Sequence, residues 1–348
     1  MLPDEGNPHD NSCFKFSQPL HMPILICGSL AFDTIMVFQD HFKNHILPDK
    51  IHKLSVSFYV PEMRREFGGT AGNIAYNLQL LEGEPLIMAT VGEDFGTYTQ
   101  WLNTNKLNTT HIKTIVNSFT AQAFITTDMD DNQITAFHPG AMSESHQNSV
   151  NDAQDVTLAI IAPDGRDGMF QHARECFDAG IPFLFDPGQG LPMFDGEELL
   201  QFIEMADYLA VNDYESQVIQ DKTGLSLDQL AQKVKALIVT LGSEGSQIYT
   251  DGQRYDVPCV KADRIVDPTG CGDAYRAGLL YGMAKGWDWL TCGRLGATMG
   301  AIKIASRGGQ NHKPTRAEIE IVYTHALVNE TALAENITAE SIATKIMH

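Results

Sequence analysis

The residues with the clearest chemical potential form the segment 267–273, whose sequence is Asp-Pro-Thr-Gly-Cys-Gly-Asp. Apolar residues follow at helical spacing, at Ala274, Ala277 and Leu280, so a helix is expected to begin at the glycines. Backbone N–H groups and the dipole at a helix N-terminus together bind a phosphate group. Asp273 would lie beside that phosphate, ionised by the helix N-terminus and able to accept a proton from an attacking hydroxyl group. The alternative is an aspartate that only caps its helix.

A second glycine-rich loop, residues 68–73, has the sequence Gly-Gly-Thr-Ala-Gly-Asn and also precedes a predicted helix. Apolar residues recur at Ile74, Leu78 and Leu81, which places the glycines at the junction between loop and helix. The N-terminus of this helix would point at whatever the loop binds. A glycine-rich loop alone does not identify the ligand.

Strands that alternate with helices are expected to position both loops. The patterns predict strands at Ile24–Cys27, Leu86–Val91, Leu158–Ala162, Phe183–Asp186, Tyr208–Val211 and Leu237–Leu241, and helices at Tyr98–Asn105, Met169–Ala179, Glu197–Met205 and Ser226–Val234. A β-type patch at Leu54–Phe58 predicts a further strand, and Ala121–Thr127 with Gln133–Phe137 a hairpin. The alternation indicates an α/β fold with a largely parallel sheet, in which binding sites lie at the carboxyl ends of the strands.

The composition limits the classes of partner. Lys and Arg number 24 against 44 Asp and Glu, so the net charge of −20 opposes binding to nucleic acid or an anionic membrane. The same charge would repel ATP, so a phosphate site must rely on helix N-termini, backbone N–H groups and Mg²⁺. Six scattered cysteines and the lack of a long apolar run predict a cytoplasmic protein without a disulfide scaffold or a membrane span. Residues 1–21 are polar and are expected to form a mobile extension.

The segment 267–273 resembles the second signature of the ribokinase family, also called the PfkB carbohydrate kinases, which is written D-T-x-G-A-G-D. Pro268 replaces the threonine and Cys271 the alanine, and neither change removes a backbone N–H group that the resemblance requires. The resemblance implies that Asp273 is the catalytic base and that Gly270, Cys271 and Gly272 supply the N–H groups of an anion hole. It also implies a ribokinase-like, Rossmann-like core with a small β-lid, in which residues 22–348 form the kinase domain and the lid segments lie near 32–66 and 118–138.

Other motifs of this family occur in the same order along the chain. Residues 68–73 resemble the first signature, and Asn212 with Glu215 matches an N-x-x-E motif in which the glutamate acts on Mg²⁺ through water. Many family members also use a monovalent cation such as K⁺, for which Asp267 and Thr269 would be the contacts. The residues implied to bind ATP are Asn212, Thr240, Gly242 and Gly245.

Within the family, the chain is most similar to the bacterial adenosine kinases, through the segments 28–33, 47–58, 137–144 and 186–187. This likeness implies that Asp33 and Asn73 bind ribose hydroxyls and that Phe137 stacks on the base. The alternatives are a loop-solvating acid for Asp33 and an ordinary core residue for Phe137. Two departures affect the base: Gly190 stands where a second glutamine is expected, and Ala123 where a lid aromatic is expected. The residues implied to line the nucleoside pocket are Ser29, Asp33, Ser57, Gly69, Asn73, Phe137 and Gln189.

The motifs together predict an ATP-dependent kinase for the 5′-hydroxyl of a nucleoside, with adenosine converted to AMP in purine salvage as the favoured reaction. The alternatives are a guanosine or inosine kinase, a PfkB-type kinase for ribose, fructose or a sugar phosphate, and a non-catalytic nucleotide sensor. A sensor would have little use for Asp273 together with Glu215. The sequence has no Walker P-loop, no dinucleotide-binding G-x-G-x-x-G motif after its first strand and no zinc-hydrolase motif. An exposed lid edge could pair with a second chain to form a homodimer.

Overall fold

A nine-stranded sheet forms the centre of the fold in the computed structural model, which describes residues 22–46, 55–130 and 132–328. Neighbouring strands run parallel except around β12, which is antiparallel to both of its neighbours. The strands in spatial order are β13 (Gln253–Val257), β12 (Ser246–Thr250), β11 (Ala236–Thr240), β10 (Tyr208–Asn212), β9 (Phe183–Phe185), β8 (Leu158–Ile161), β1 (Pro23–Cys27), β4 (Glu84–Val91) and β5 (Asn108–Thr114).

Helices cover both faces of this sheet, because its strands are apolar on both sides. Ile24 and Ile26 of β1 pack into one hydrophobic cluster, and Leu25 and Cys27 into another on the opposite face. The first face carries α1 (Thr70–Leu80), α2 (Gly96–Thr104), α7 (Cys271–Ala284), α8 (Trp289–Ile304) and the helical residues 316–328. The second face carries α3 (Arg166–Ala179), α4 (Gly196–Met205), α5 (Asp213–Thr223) and α6 (Leu227–Ala231).

A second, four-stranded sheet has the order β3 (Glu62–Gly68), β2 (Ala31–Val37), β6 (Ala121–Thr127) and β7 (Gln133–His138). We call it the lid sheet. The hairpin predicted between β6 and β7 is confirmed, and Asp128 shapes its turn by accepting hydrogen bonds from the N–H groups of Asp130 and Asn132, each at 2.9 Å. The same carboxylate accepts a bond from the N–H of Phe42 at 2.9 Å, which ties the turn to the chain that follows β2.

The order of the main sheet reverses at β1, which lies between β8 and β4. Ligands in open α/β sheets bind at the carboxyl ends of the strands on either side of such a reversal. Ser29, at the end of β1, is held there by a bond from its N–H to the carbonyl of Pro163 beyond β8, at 3.0 Å. The mostly parallel strands and the helices on both faces of the sheet confirm the predicted α/β class with a largely parallel sheet.

Several local predictions are corrected. Residues 55–60 form no strand, although Leu54–Phe58 was expected to, because Phe58 packs on Phe38 and Phe42 at ring distances of 4.9 and 5.0 Å instead of pairing its backbone. The helix predicted at Ser226–Val234 ends at Ala231. The polar strands β5 and β13 and the helix α5 carry too weak an apolar pattern to be predicted.

The N-terminal extension, residues 1–21, lies outside the described residues, as do residues 47–54 of the predicted lid segment. In the part of the chain that is described, no helix is both long and apolar enough to cross a membrane.

Candidate active site

The segment 267–273 leads into the N-terminus of α7, as its glycines predict. Gly270 has φ +76°, in the left-handed region, and a Cβ atom there would lie 3.2 Å from the Cα of Gly309. The N–H of Cys271 donates to the carbonyl of Pro268 at 3.1 Å, which closes the turn before the helix. The other N–H groups of the first helical turn are directed out of the helix end, where they can meet an anion.

Asp273, in the first turn of α7, is held by a residue 200 positions away in the sequence. The side-chain amide of Asn73, near the start of α1, donates to Asp273 Oδ2 at 2.8 Å. Gln310 donates to Asn73 Oδ1 at 3.1 Å and to the hydroxyl of Tyr98 at 2.6 Å. The Tyr98 hydroxyl donates in turn to the carbonyl of Gly68 at 2.7 Å. This buried chain fixes the orientation of the Asp273 carboxyl group.

Burial raises the pKa of Asp273 to about 7. The hydrogen bond from Asn73 and the charge of Arg276 lower it, whereas the carboxylates of Asp186 and Asp33 add to the increase. The sequence predicts that the helix N-terminus keeps this carboxylate ionised. In the structure, the loss of hydration on burial has the larger effect on its pKa. A pKa near neutrality suits a general base, because the group can both release and accept a proton at neutral pH.

Asp33 lies on β2 of the lid sheet, in register with Glu66 on β3. Burial, together with the smaller effects of the Glu66 and Asp267 carboxylates, raises the pKa of Asp33 to about 6. A Cβ atom at Gly68 would lie 2.6 Å from Asp33 Oδ2, so the glycine leaves room for this carboxyl group. The charge of Asp33 also raises the pKa of Asp273, so the two carboxyl groups interact electrostatically.

An ion pair that the sequence analysis missed lies one helical turn beyond Asp273. Arg276 donates through Nε to Asp186 Oδ2 at 3.0 Å and through Nη2 to Asp186 Oδ1 at 3.3 Å. The two side chains are only 6% and 7% exposed. A charged residue three positions after Asp273, on a helix otherwise lined by apolar residues, is the signal that could have indicated it. This bidentate pair connects the end of β9 to α7.

The loop before α1 is shaped by close backbone packing. The hydroxyl of Ser29 accepts a hydrogen bond from the N–H of Thr70 at 3.2 Å. Gly69 has φ +86°, and a Cβ atom there would lie 2.5 Å from the carbonyl oxygen of Ser29. A Cβ atom at Gly72 would lie 2.2 Å from the Tyr98 hydroxyl. These glycines let α1 approach β1 and Tyr98 closely, which brings Asn73 to Asp273.

The residues predicted to lie around the nucleoside base are more exposed than Asp33. Asp33 is in register with Ala123 on β6, and Ala123 with Phe137 on β7, so the three side chains form one row on the same face of the lid sheet. Phe137 is 54% exposed and is therefore not a core residue. Ser57 and Gln189 are exposed, in an irregular segment and in a 3₁₀ turn after β9 respectively.

The predicted nucleotide-binding residues lie at the ends of two adjacent strands. Asn212 of β10 is in register with Thr240 of β11. The loop after Thr240 is closed by a bond from the N–H of Leu241 to the carbonyl of Gly245 at 2.8 Å. Gly242 and Gly245 both have positive φ, at +57° and +96°. The strand ends thus form two neighbouring loops at the edge expected to bind a ligand.

Asn212 and Glu215 form a capping box at the start of α5. Asn212 Oδ1 accepts from the N–H of Glu215 at 2.7 Å, and Glu215 Oε2 accepts from the N–H of Asn212 at 2.8 Å. Burial raises the pKa of Glu215, and the carboxylate of Asp186 adds to this. Among the described residues, no group of three or more Asp, Glu, His or Cys side chains could hold a metal ion. Mg²⁺ that arrives with ATP needs only one or two carboxylates and keeps several waters, so the second oxygen of Glu215 fits an outer contact to such an ion.

Residues 32–316 match the model of the pfkB family carbohydrate kinases. The chain belongs to the PfkB carbohydrate kinase family. It is 33% identical over 270 residues to a nucleoside kinase of Methanocaldococcus jannaschii, in an alignment that covers 77% of this chain and 88% of that protein.

Two solved structures of the nucleoside kinase of Burkholderia thailandensis are also similar to this PfkB family member. Its complex with inosine is 51% identical, with a TM-score of 0.80 over 87% of this chain and 97% of the other. Its complex with ADP-inosine is 53% identical, with a TM-score of 0.78 over 87% of this chain and 95% of the other. The predicted family and fold are confirmed, whereas adenosine as the acceptor and the roles of individual site residues stay predictions.

Proposed function

We propose that this PfkB kinase transfers the γ-phosphoryl group of ATP to the 5′-hydroxyl of nucleosides, with adenosine as the best acceptor. The observation that carries the proposal is the half-buried carboxyl group of Asp273, oriented by Asn73 at the N-terminus of α7. A hydroxyl acceptor and a phosphate donor meet at this point, because the base and the outward-facing N–H groups belong to the same helical turn. Nucleoside kinases from two other organisms are similar to most of the chain.

In the proposed reaction, Asp273 accepts the proton of the 5′-hydroxyl as its oxygen attacks the γ-phosphorus. The N–H groups of Gly270 and Gly272 stabilise the charge on the transferring phosphoryl group, while the N–H of Cys271, also predicted for this role, closes the turn before the helix. Asp33 accepts hydrogen bonds from the ribose hydroxyls and so sets the distance between the 5′-oxygen and Asp273. Mg²⁺ bound to the phosphates would neutralise part of their charge, with Glu215 as its outer contact.

The lid sheet supports a nucleoside rather than a bare sugar. Phe137 and Asp33 lie in one row with only Ala123 between them, on strands that span roughly 10 Å. A ribose bound to Asp33 would leave its base above the small side chain of Ala123, beside the exposed ring of Phe137. Inosine is the second candidate acceptor, since a protein 51% identical to this chain was solved in complex with it.

The acceptor is tested by measuring ADP release with adenosine, inosine, guanosine, ribose and fructose 6-phosphate. We expect kcat/KM for the purine nucleosides to exceed that for ribose by ~100-fold or more, because a stacked base adds ~1–3 kcal/mol to ribose binding and the base also helps to orient the 5′-hydroxyl. Phe137→Ala should raise the KM for nucleosides roughly tenfold while leaving the KM for ATP unchanged.

Ile134→Ala is the matched control for Phe137→Ala. Ile134 lies on the same strand and is 43% exposed, but it projects from the opposite face of the lid sheet. Its replacement should leave the KM for nucleosides unchanged, and neither variant should change the thermal midpoint of the ligand-free protein by more than a few degrees. A higher efficiency with ribose or a sugar phosphate than with any nucleoside would refute the nucleoside proposal.

The pH dependence tests the base. We expect kcat/KM for the nucleoside to rise with pH through a midpoint of about 7, since Asp273 accepts a proton only when it is ionised. Asn73→Ala removes a hydrogen bond that lowers this pKa, so the midpoint should move to higher pH. Asn103→Ala, at an exposed position of α2, is the control and should not move it. A wild-type midpoint near the ordinary aspartate value of 3.8, or equal midpoints in all three proteins, would contradict the assignment.

A further inference from the structure

Lys303, in the last turn of α8, is a fully buried lysine, with 0% of its surface exposed. A buried ammonium group is unfavourable unless acceptors replace its water. Two backbone carbonyls do so here: Nζ donates to the oxygen of Asp267 at 2.8 Å and to that of Ser306 at 3.1 Å. Burial lowers the pKa of Lys303, whereas its electrostatic interactions with Cys271, Asp267 and Asp273 raise it. Lys303 therefore lies close to the segment that forms the anion hole.

Carbonyl oxygens that converge on a single positive charge are also the ligands that proteins use for K⁺. The sequence predicts a monovalent cation in contact with Asp267 and Thr269. In the structure, the Asp267 carbonyl already accepts a hydrogen bond from the ammonium group of Lys303. Both of its carboxylate oxygens are also engaged, one by the N–H of Thr269 at 2.9 Å and the other by the N–H of Gly308 at 2.8 Å. The residues at this position do not fit a free cation.

We infer that the ammonium group of Lys303 takes the place of a monovalent cation in this chain, so that its kinase activity needs no K⁺. This inference rests on the proposed function for its activity assay, but its structural basis is independent of the acceptor. The hydrogen bonds of Lys303 to Asp267 and Ser306 both go to backbone carbonyls, so Lys303 acts as a positioning residue.

The position of Lys303 explains how it would affect catalysis. The N–H groups of Val266 and Asp267 both donate to the carbonyl of Ile304, at 2.9 and 3.1 Å. Together with Lys303 and the Asp267 carboxylate, these bonds attach the segment that precedes Gly270 to the end of α8. The lysine stands at a helix C-terminus, where a positive charge is favourable. Removing this charge should let the anion hole shift relative to Asp273.

The first experiment measures wild-type turnover in KCl and in tetramethylammonium chloride at equal ionic strength. We expect the two rates to agree within roughly twofold, because ionic strength alone sets the screening of exposed charges. Activation of the wild-type enzyme by K⁺ beyond that range would overturn the inference, whatever the behaviour of any variant.

Two substitutions of Lys303 test whether it replaces a bound cation or only fills space in the core. Lys303→Ala removes the ammonium group and opens space beside the carbonyls of Asp267 and Ser306. In tetramethylammonium buffer its kcat should fall ~10–100-fold, since misplacement by about 1 Å can cost that much, and KCl or NH₄Cl should restore most of the loss. Lys303→Met fills the space without a charge, so it should lose activity and gain nothing from K⁺. Lys233→Ala, at an exposed lysine, should behave as wild type in both salts.

A readout without substrate completes the test. K⁺ that binds the folded Lys303→Ala protein raises its thermal midpoint relative to tetramethylammonium, while wild type and Lys303→Met show no such difference. This measurement stands even if the enzyme phosphorylates no nucleoside, which would refute the proposed function alone. Full activity of Lys303→Met, or an inactive Lys303→Ala that responds to K⁺ neither in rate nor in midpoint, would overturn the inference. If neither variant folds, the wild-type comparison of the two salts decides.

Discussion

Asp273→Asn should lower kcat by ~10²–10⁴-fold while the protein still binds ATP and nucleoside, because a positioned base contributes about that much to proton transfer. The asparagine is nearly isosteric, and its side-chain oxygen can still accept the hydrogen bond from Asn73. The substitution therefore removes the proton acceptor without displacing the network behind it. Single-turnover rates and calorimetric binding of each substrate measure the two effects separately.

The control for this variant is Asp178→Asn, at an exposed aspartate of α3 on the opposite side of the main sheet. It removes the same charge from a chain of net charge −20, so any general electrostatic effect on ATP binding appears in both variants. Turnover of Asp273→Asn within about threefold of wild type would contradict the assignment of Asp273 as the base.

Arg276→Met should lower the free energy of unfolding by about 3–5 kcal/mol, because it leaves the buried carboxylate of Asp186 without its partner. The double variant Asp186→Leu with Arg276→Met replaces both charges by apolar side chains of similar size and should recover most of that loss. Urea unfolding monitored by circular dichroism gives both values.

The exposed ion pair between Lys235 and Asp207 provides the matched control. Its lysine side chain is 69% exposed, and Lys235→Met should cost less than about 1 kcal/mol. A loss for Arg276→Met as small as that of Lys235→Met would show that Asp186 keeps access to water. A double variant less stable than Arg276→Met alone would show that the pair contributes net stability, contrary to our expectation.

Local features of the chain were predictable from the sequence because they depend on neighbouring residues. The start of α7 at the glycines before Asp273 and the hairpin turn at Asp128 follow from backbone geometry and from hydrogen bonds within a few residues. The alternation of strands and helices likewise predicted the α/β class. The helix α5 was missed because its periodic apolar signal is weak, even though the capping box of Asn212 and Glu215 marks its start.

The sequence by itself therefore determined the family, the glycine-rich loops and the identity of the candidate base. Only the tertiary structure decided how these residues act, because each decisive contact joins distant parts of the chain. Asn73 orients Asp273 from 200 residues away in the sequence. The ammonium group of Lys303 donates a hydrogen bond to the carbonyl of Asp267, which lies 36 residues away. The pKa of Asp273 is also a tertiary property, since it depends on how far several elements together exclude water from one carboxyl group.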